Sequence, residues 1–128
     1  MILGLGTDIV EIARIAQMIE RHGESFLKRV YTESEVTYCQ RRKHSAEPFA
    51  GRWAAKEAVL KVLGTGFIRG IGFRDVEIVS EPSGKPSVVL YGGADEQAKA
   101  LGIDKIHITI SHCRTYATAT AIGVSEGS

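Results

Sequence analysis

The sequence predicts an α+β fold in which an antiparallel sheet packs against one long buried helix. Three observations carry that reading. The stretch Phe49–Gly66, FAGRWAAKEAVLKVLGTG, has a helical composition and is apolar on most of its circumference, the mark of a buried helix. Before it, a glycine-bearing strand is followed by short helical pieces. After it, the chain reads mainly as paired strands joined by Gly- and Pro-bearing turns. At 128 residues the chain is expected to form one small domain, residues 1–128. A domain of that size buries roughly two-thirds of its unfolded surface.

Ile2–Val10, ILGLGTDIV, is β-branched and apolar and reads as a strand. Its period-2 alternation sets Gly4, Gly6 and Asp8 on one face, and Leu3, Leu5 and Thr7 on the other. Glycine within a strand marks a bulge or a close backbone approach. Asp8, at the end of this bare face, has two open readings. With Glu11 it has capping-box spacing ahead of a helix, and it is also a candidate metal or phosphate ligand. Glu11–His22 is an amphipathic helix with Ile12, Ile15, Ala16 and Ile19 as its core stripe and Gly23 as its stop. Arg14, Met18 and Arg21 share another face, which suits either solvent or an acidic partner helix.

A short helical piece follows around Phe26–Val30. Thr32-Glu33-Ser34-Glu35 has the capping-box pattern and starts a helix that runs to about Arg42. The basic run Gln40–His44 then suits solvated surface or phosphate binding. In the central helix, Ala55, Ala58, Val59 and Val62 form one apolar sector and Trp53 and Leu60 another. Burying an unpaired charge costs several kcal/mol, so Arg52, Lys56, Glu57 and Lys61 each need a partner or a route to water. Glu57 and Lys61 have the favourable i,i+4 order, worth roughly 0.3–0.5 kcal/mol as a surface pair. A charged slot between apolar sectors also suits an anionic ligand.

Gly64 fits a helix C-cap, and the glycines through Gly72 permit a loop whose N–H groups face an anion. The loop is not a Walker A motif, since GxxxxGK[ST] is missing. Phe73–Val79 and Ser87–Tyr91 flank the hairpin connection EPSGKP. Ala94–Leu101 is a short helix stopped by Gly102, and Ile106–His112 pairs with Tyr116–Val124 in a second hairpin. His112 closes its strand, as a structural group or a functional one. The small side chains of Ala117–Ala121, ATATA, imply that something packs closely on that strand.

Composition narrows the classes. With 44% hydrophobic residues, 24% charged residues and a net charge of +1, nothing suggests general nucleic-acid binding. Cys39 and Cys113 sit in no CxxC or zinc spacing, which reads as a reduced cytosolic protein. No apolar run approaches the ~18 residues of a membrane span, and the N-terminus lacks signal-peptide character, so a cytoplasmic location is expected.

Two motifs in order, GLGTDIVEIARI at Gly4–Ile15 and FAGRWAAKEAVLKVLGTG at Phe49–Gly66, resemble those of the bacterial holo-acyl-carrier-protein synthases. These are small 4′-phosphopantetheinyl transferases. The turn GKP at Gly84–Pro86 and ISHCRTYATA at Ile110–Ala119 are similar to further family features, and the resemblance covers essentially the whole chain. It implies the transferase fold and transfer of phosphopantetheine from coenzyme A to a serine of an apo-acyl carrier protein, releasing 3′,5′-ADP, for fatty acid biosynthesis. It implies Mg²⁺ held by Asp8 and Glu57, with Asp8, Glu57 and Lys61 as the catalytic set. Coenzyme A contacts are implied for Arg52, Lys56, Lys61, Gly64, Thr65, Gly66, Pro86 and His112. Coenzyme A carries about four negative charges, which such cations balance.

The base is open between Glu57, through a metal-bound water, and His112. Cys113 stands where the family more often has Thr or a carboxylate. Because carrier proteins are acidic, Arg14, Arg21, Lys28 and Arg29 become docking candidates. The resemblance further implies a homotrimer with active sites at subunit interfaces. Two rivals are a non-catalytic carrier- or coenzyme A-binding module and a metal-dependent nucleotide phosphohydrolase. The presence of Asp8, Glu57 and Lys61 together counts against the first.

Overall fold

The glycines of the first strand decide how this chain packs. In the computed structural model, which describes residues 1–64 and 70–127, strand β1 (Ile2–Glu11) lies against helix α4 (Ala46–Leu63). A Cβ on Gly6 would stand 2.1 Å from the Ala58 carbonyl oxygen, and one on Gly4 would stand 2.9 Å from that of Val62. Real Cβ atoms do not approach that closely, so only glycine lets the helix come this near. From the last strand, β5 (Tyr116–Val124), Ala117, Ala119 and Ala121 meet α4 as fully buried small side chains. The glycine face of β1 and the alanine face of β5 are thus one seat for one helix.

Between β1 and α4 run α1 (Ile12–His22), α2 (Glu24–Val30) and α3 (Glu33–Gln40). After α4 come a 3-10 turn (Phe73–Asp75), β2 (Val76–Ser80), β3 (Pro86–Leu90), α5 (Gly92–Leu101) and β4 (Lys105–His112). The strands form two antiparallel sheets, β1-β5-β4 and β2-β3. The expected α+β architecture is present, with its sheet divided in two. α4 starts one turn earlier than Phe49, with Pro48 in the first turn, where its missing N–H has no helical partner to lose. It ends at Gly64 in the left-handed region, φ 77°, as a C-cap glycine should.

The Thr32 capping box forms: Thr32 N donates to Glu35 Oε1 at 2.8 Å, and Glu35 N donates to Thr32 Oγ1 at 3.4 Å. The one read at Asp8 and Glu11 does not. Asp8 is still in β1, paired with Ala119, and Glu11 makes no capping hydrogen bond. A row of aromatic rings covers the other flank of α4, with Trp53 between Phe26 at 6.0 Å and Phe73 at 4.8 Å.

The opposite face of β1-β5-β4 carries Leu3, Leu5 and Ile9, which are exposed, the latter two by 67% and 64%. Register sets Leu5 beside Ile122, with His107 on the far side of Ile122, and Thr7 beside Thr120, with Thr109 on the far side of Thr120. Among the described residues no helix is long and apolar enough to cross a membrane.

Candidate functional site

The close seat of α4 on β1 brings two carboxylates together. Asp8 follows Gly4 and Gly6 on the helix-facing side of its strand, and Glu57 and Lys61 lie one turn apart on α4. Lys61 does not close the i,i+4 pair. Its Nζ donates to the Thr7 carbonyl at 2.8 Å and stands 3.3 Å from Asp8 Oδ1, tying helix to strand. Burial holds the Glu57 carboxyl above its ordinary value and the charge of Asp8 pushes it further, while Lys61 and Arg14 pull it back. A carboxyl whose charged form is opposed by burial and by a neighbouring carboxylate favours a cation between the two. Among the described residues no group of three or more His, Cys, Asp and Glu forms a fuller metal cage. A two-carboxylate site completed by water and substrate oxygens is the donor set that suits Mg²⁺.

A cleft of about 560 Å³ opens beside the start of α4, walled by the end of α3 and the β2-β3 hairpin. Tyr38, Arg42, Arg52, Ser80, Pro86 and His112 are among its lining residues. Arg52 is 6% exposed; its Nη2 donates to Ser80 Oγ at 2.8 Å, and its guanidinium lies 3.9 Å from the Tyr38 ring centre. Arg42 covers the same ring at 3.6 Å and donates Nη1 to the Tyr38 carbonyl at 3.1 Å. His112 Nε2 stands 3.4 Å from Glu47 Oε2. With Lys43 and His44 also in the wall and Glu47 as its carboxylate, the cleft has cationic excess and suits a polyanion.

The structure departs from the sequence reading at Lys56. Its side chain is fully buried, with Nζ 2.7 Å from Glu35 Oε1 and donating to the Val76 carbonyl at 2.6 Å and the Phe73 carbonyl at 3.1 Å. An ammonium has three donors, and all three are used inside the protein, so Lys56 holds the fold together and has no free donor for a phosphate. Burial draws its pKa down while Glu35 holds it up. Gly64 is the C-cap of α4, whereas Thr65 and Gly66 lie outside the described residues.

Arg14, Arg21, Lys28 and Arg29 are all exposed, and Lys28 has a loose pair with Glu24 at 3.8 Å. Cys39 is buried and its thiol is pushed up to about 12, while Cys113 is exposed beside the cleft residue His112. Sequence reasoning missed Glu35 as the buried counter-ion and Tyr38 and Arg42 as cleft residues. Glu35 was visible as a cap, and the basic run Gln40–His44 was the one local signal for Arg42.

Residues 4–121 match a family described as the 4′-phosphopantetheinyl transferase superfamily. A holo-[acyl-carrier-protein] synthase of Koribacter versatilis is 48% identical over 122 residues, covering 95% of this chain and 98% of that protein. The crystal structure of a holo-[acyl-carrier-protein] synthase from Neisseria meningitidis superposes with a TM-score of 0.87 at 31% identity, covering 98% of this chain and 100% of that one. One from Helicobacter pylori, solved in complex with coenzyme A, gives a TM-score of 0.83 at 31% identity, covering 94% and 99%.

Proposed function

Since the chain belongs to the 4′-phosphopantetheinyl transferase superfamily, we propose that it moves phosphopantetheine from coenzyme A to a serine of an apo-acyl carrier protein, in fatty acid biosynthesis. The observation that carries this is the convergence of Asp8, Glu57 and Lys61 from β1 and α4. In the reaction the serine oxygen forms a bond to the phosphorus bearing pantetheine. The bond from that phosphorus to the leaving 3′,5′-ADP breaks, and the serine proton passes to a base. The protein's share is position and charge.

Asp8 and Glu57 would hold Mg²⁺, which supplies Lewis-acid stabilisation of the pyrophosphate when bound. Lys61, half exposed beside Asp8, offers a cation to the same pyrophosphate. Arg52, Pro86 and His112 form the wall against the nucleotide. Glu57 and His112 remain the two candidates for the base, and the contact of His112 with Glu47 favours a binding role for the imidazole.

Arg14 helps set the charge around Glu57, so its end of α1 borders the reaction site, and with Arg21, Lys28 and Arg29 it offers exposed cations on which an acidic carrier would dock. Residues 1–128 act as one cytoplasmic transferase domain. The exposed apolar face of Leu3, Leu5 and Ile9 supports assembly into a homotrimer. The test is release of 3′,5′-ADP from coenzyme A and Mg²⁺, followed with and without apo-carrier protein. Release that needs the carrier supports the transferase. Equal release without it identifies a phosphohydrolase.

A further inference from the structure

Tyr38 holds a cation on each face of its ring. Arg42 lies 3.6 Å from the ring centre and Arg52 3.9 Å, and among the described residues neither has a carboxylate within ion-pair distance. Two like charges this close repel, and each loses part of its hydration. Arg52 bears a second cost: its Nε is buried with no hydrogen-bond partner among the described residues. An arginine selected for stability would be paired and satisfied. This one is instead clamped in the cleft wall, by the ring on one side and by Ser80 at the guanidinium edge. The Ser80 hydroxyl near the phenol draws Tyr38 below its usual value; burial opposes this, and Arg52 and Arg42 add to it.

We propose that Tyr38 is a positioning residue for the donor nucleotide. Its ring fixes Arg52 and Arg42 as a rigid pair of charges for one polyanion in the cleft, and so sets donor affinity. The inference rests on the transferase reading above. It adds to that reading a residue from α3, outside both recognised motifs, and a division of labour: the Arg42–Tyr38–Arg52 stack governs binding, while Asp8, Glu57 and Lys61 govern turnover. A flat aromatic spacer holds two guanidiniums parallel at little conformational cost, which an aliphatic side chain cannot do.

The test compares Tyr38→Leu and Tyr38→Phe by calorimetric Kd for coenzyme A and by KM and kcat for carrier modification. Tyr38→Leu is expected to raise Kd and KM about five- to tenfold with kcat within about twofold, since each stacked cation carries roughly a several-fold factor. Tyr38→Phe keeps the ring and is expected to stay within about twofold of the parent in all three. An unchanged Kd in Tyr38→Leu, a fall in kcat with KM unchanged, or equal damage in both variants would overturn the proposal. Should Tyr38→Leu not fold, Arg42→Gln removes the outer layer from the exposed side. A Kd raised about threefold supports the stack, and an unchanged Kd overturns it. A parent protein that binds coenzyme A but modifies no carrier contradicts the transferase reading while the Kd comparison still stands. A parent that binds none contradicts both.

Discussion

Lys56 and Lys61 stand on the same helix, five positions apart, and meet opposite environments. Lys56 is sealed against Glu35, whereas Lys61 is half exposed and reaches Asp8. Removing one partner of a buried pair strands the other charge, so Lys56→Met is expected to cost about 3–5 kcal/mol of stability. Lys61→Met removes a solvent-screened pair worth at most about 1 kcal/mol, yet should lower kcat about a hundredfold. Calorimetric melting and steady-state rates of the two variants separate the roles; Lys56→Met melting like the parent would contradict the assignment. From sequence, both lysines were charges in need of partners, and the family resemblance gave both to coenzyme A and Lys61 to the catalytic set as well. Glu35 was legible as a cap through its Oε1 contact to Thr32 N, but its Oε2 contact to Ile78 N and its ion pair depend on tertiary packing.

At the scale of elements, the local signals were sufficient wherever the physics is local. The Thr32 capping box, the stops at Gly23, Gly64 and Gly102, and both hairpins lie close to where their residues imply. The Asp8–Glu11 pattern failed because β1 continues through it, held by pairing with β5. The β1–α4 contact yields the sharpest test of the architecture. Gly6→Ala forces a Cβ onto the Ala58 carbonyl, a backbone atom that cannot swing aside, and overpacking of that kind costs about 1–3 kcal/mol. Because Asp8 and Glu57 meet across the same contact, activity should fall with it. Gly72→Ala is the control: its φ is −116° and nothing lies within 4 Å of the added atom, so its melting temperature should match the parent's. Equal melting of both variants would mean that the glycines of β1 are not a seat for the helix.

The whole molecule is closed by its first and last strands, β1 and β5, whose pairing leaves no local trace in the sequence. That closure places the carboxylate pair on one side of the sheet and the unpartnered apolar face of Leu5 and Ile9 on the other. A homotrimer built on that face predicts that Leu5→Glu sediments as a monomer where the parent sediments as a trimer; an unchanged coefficient would move the interface elsewhere. The basic face on α1 makes a separate prediction. Arg14→Glu should weaken carrier-protein binding at least tenfold while leaving coenzyme A affinity within about twofold, since reversing a rim charge acts on the charged partner it faces. Equal loss of both affinities would remove Arg14 from the docking face.

The most direct measurement is the intact mass of an apo-acyl carrier protein after incubation with this protein, coenzyme A and Mg²⁺. The parallel reactions omit the metal or use Asp8→Ala and Glu57→Ala. The account predicts a gain of one phosphopantetheine, lost in all three controls. An unmodified carrier in the complete reaction, or modification that survives Asp8→Ala and Glu57→Ala, would contradict it.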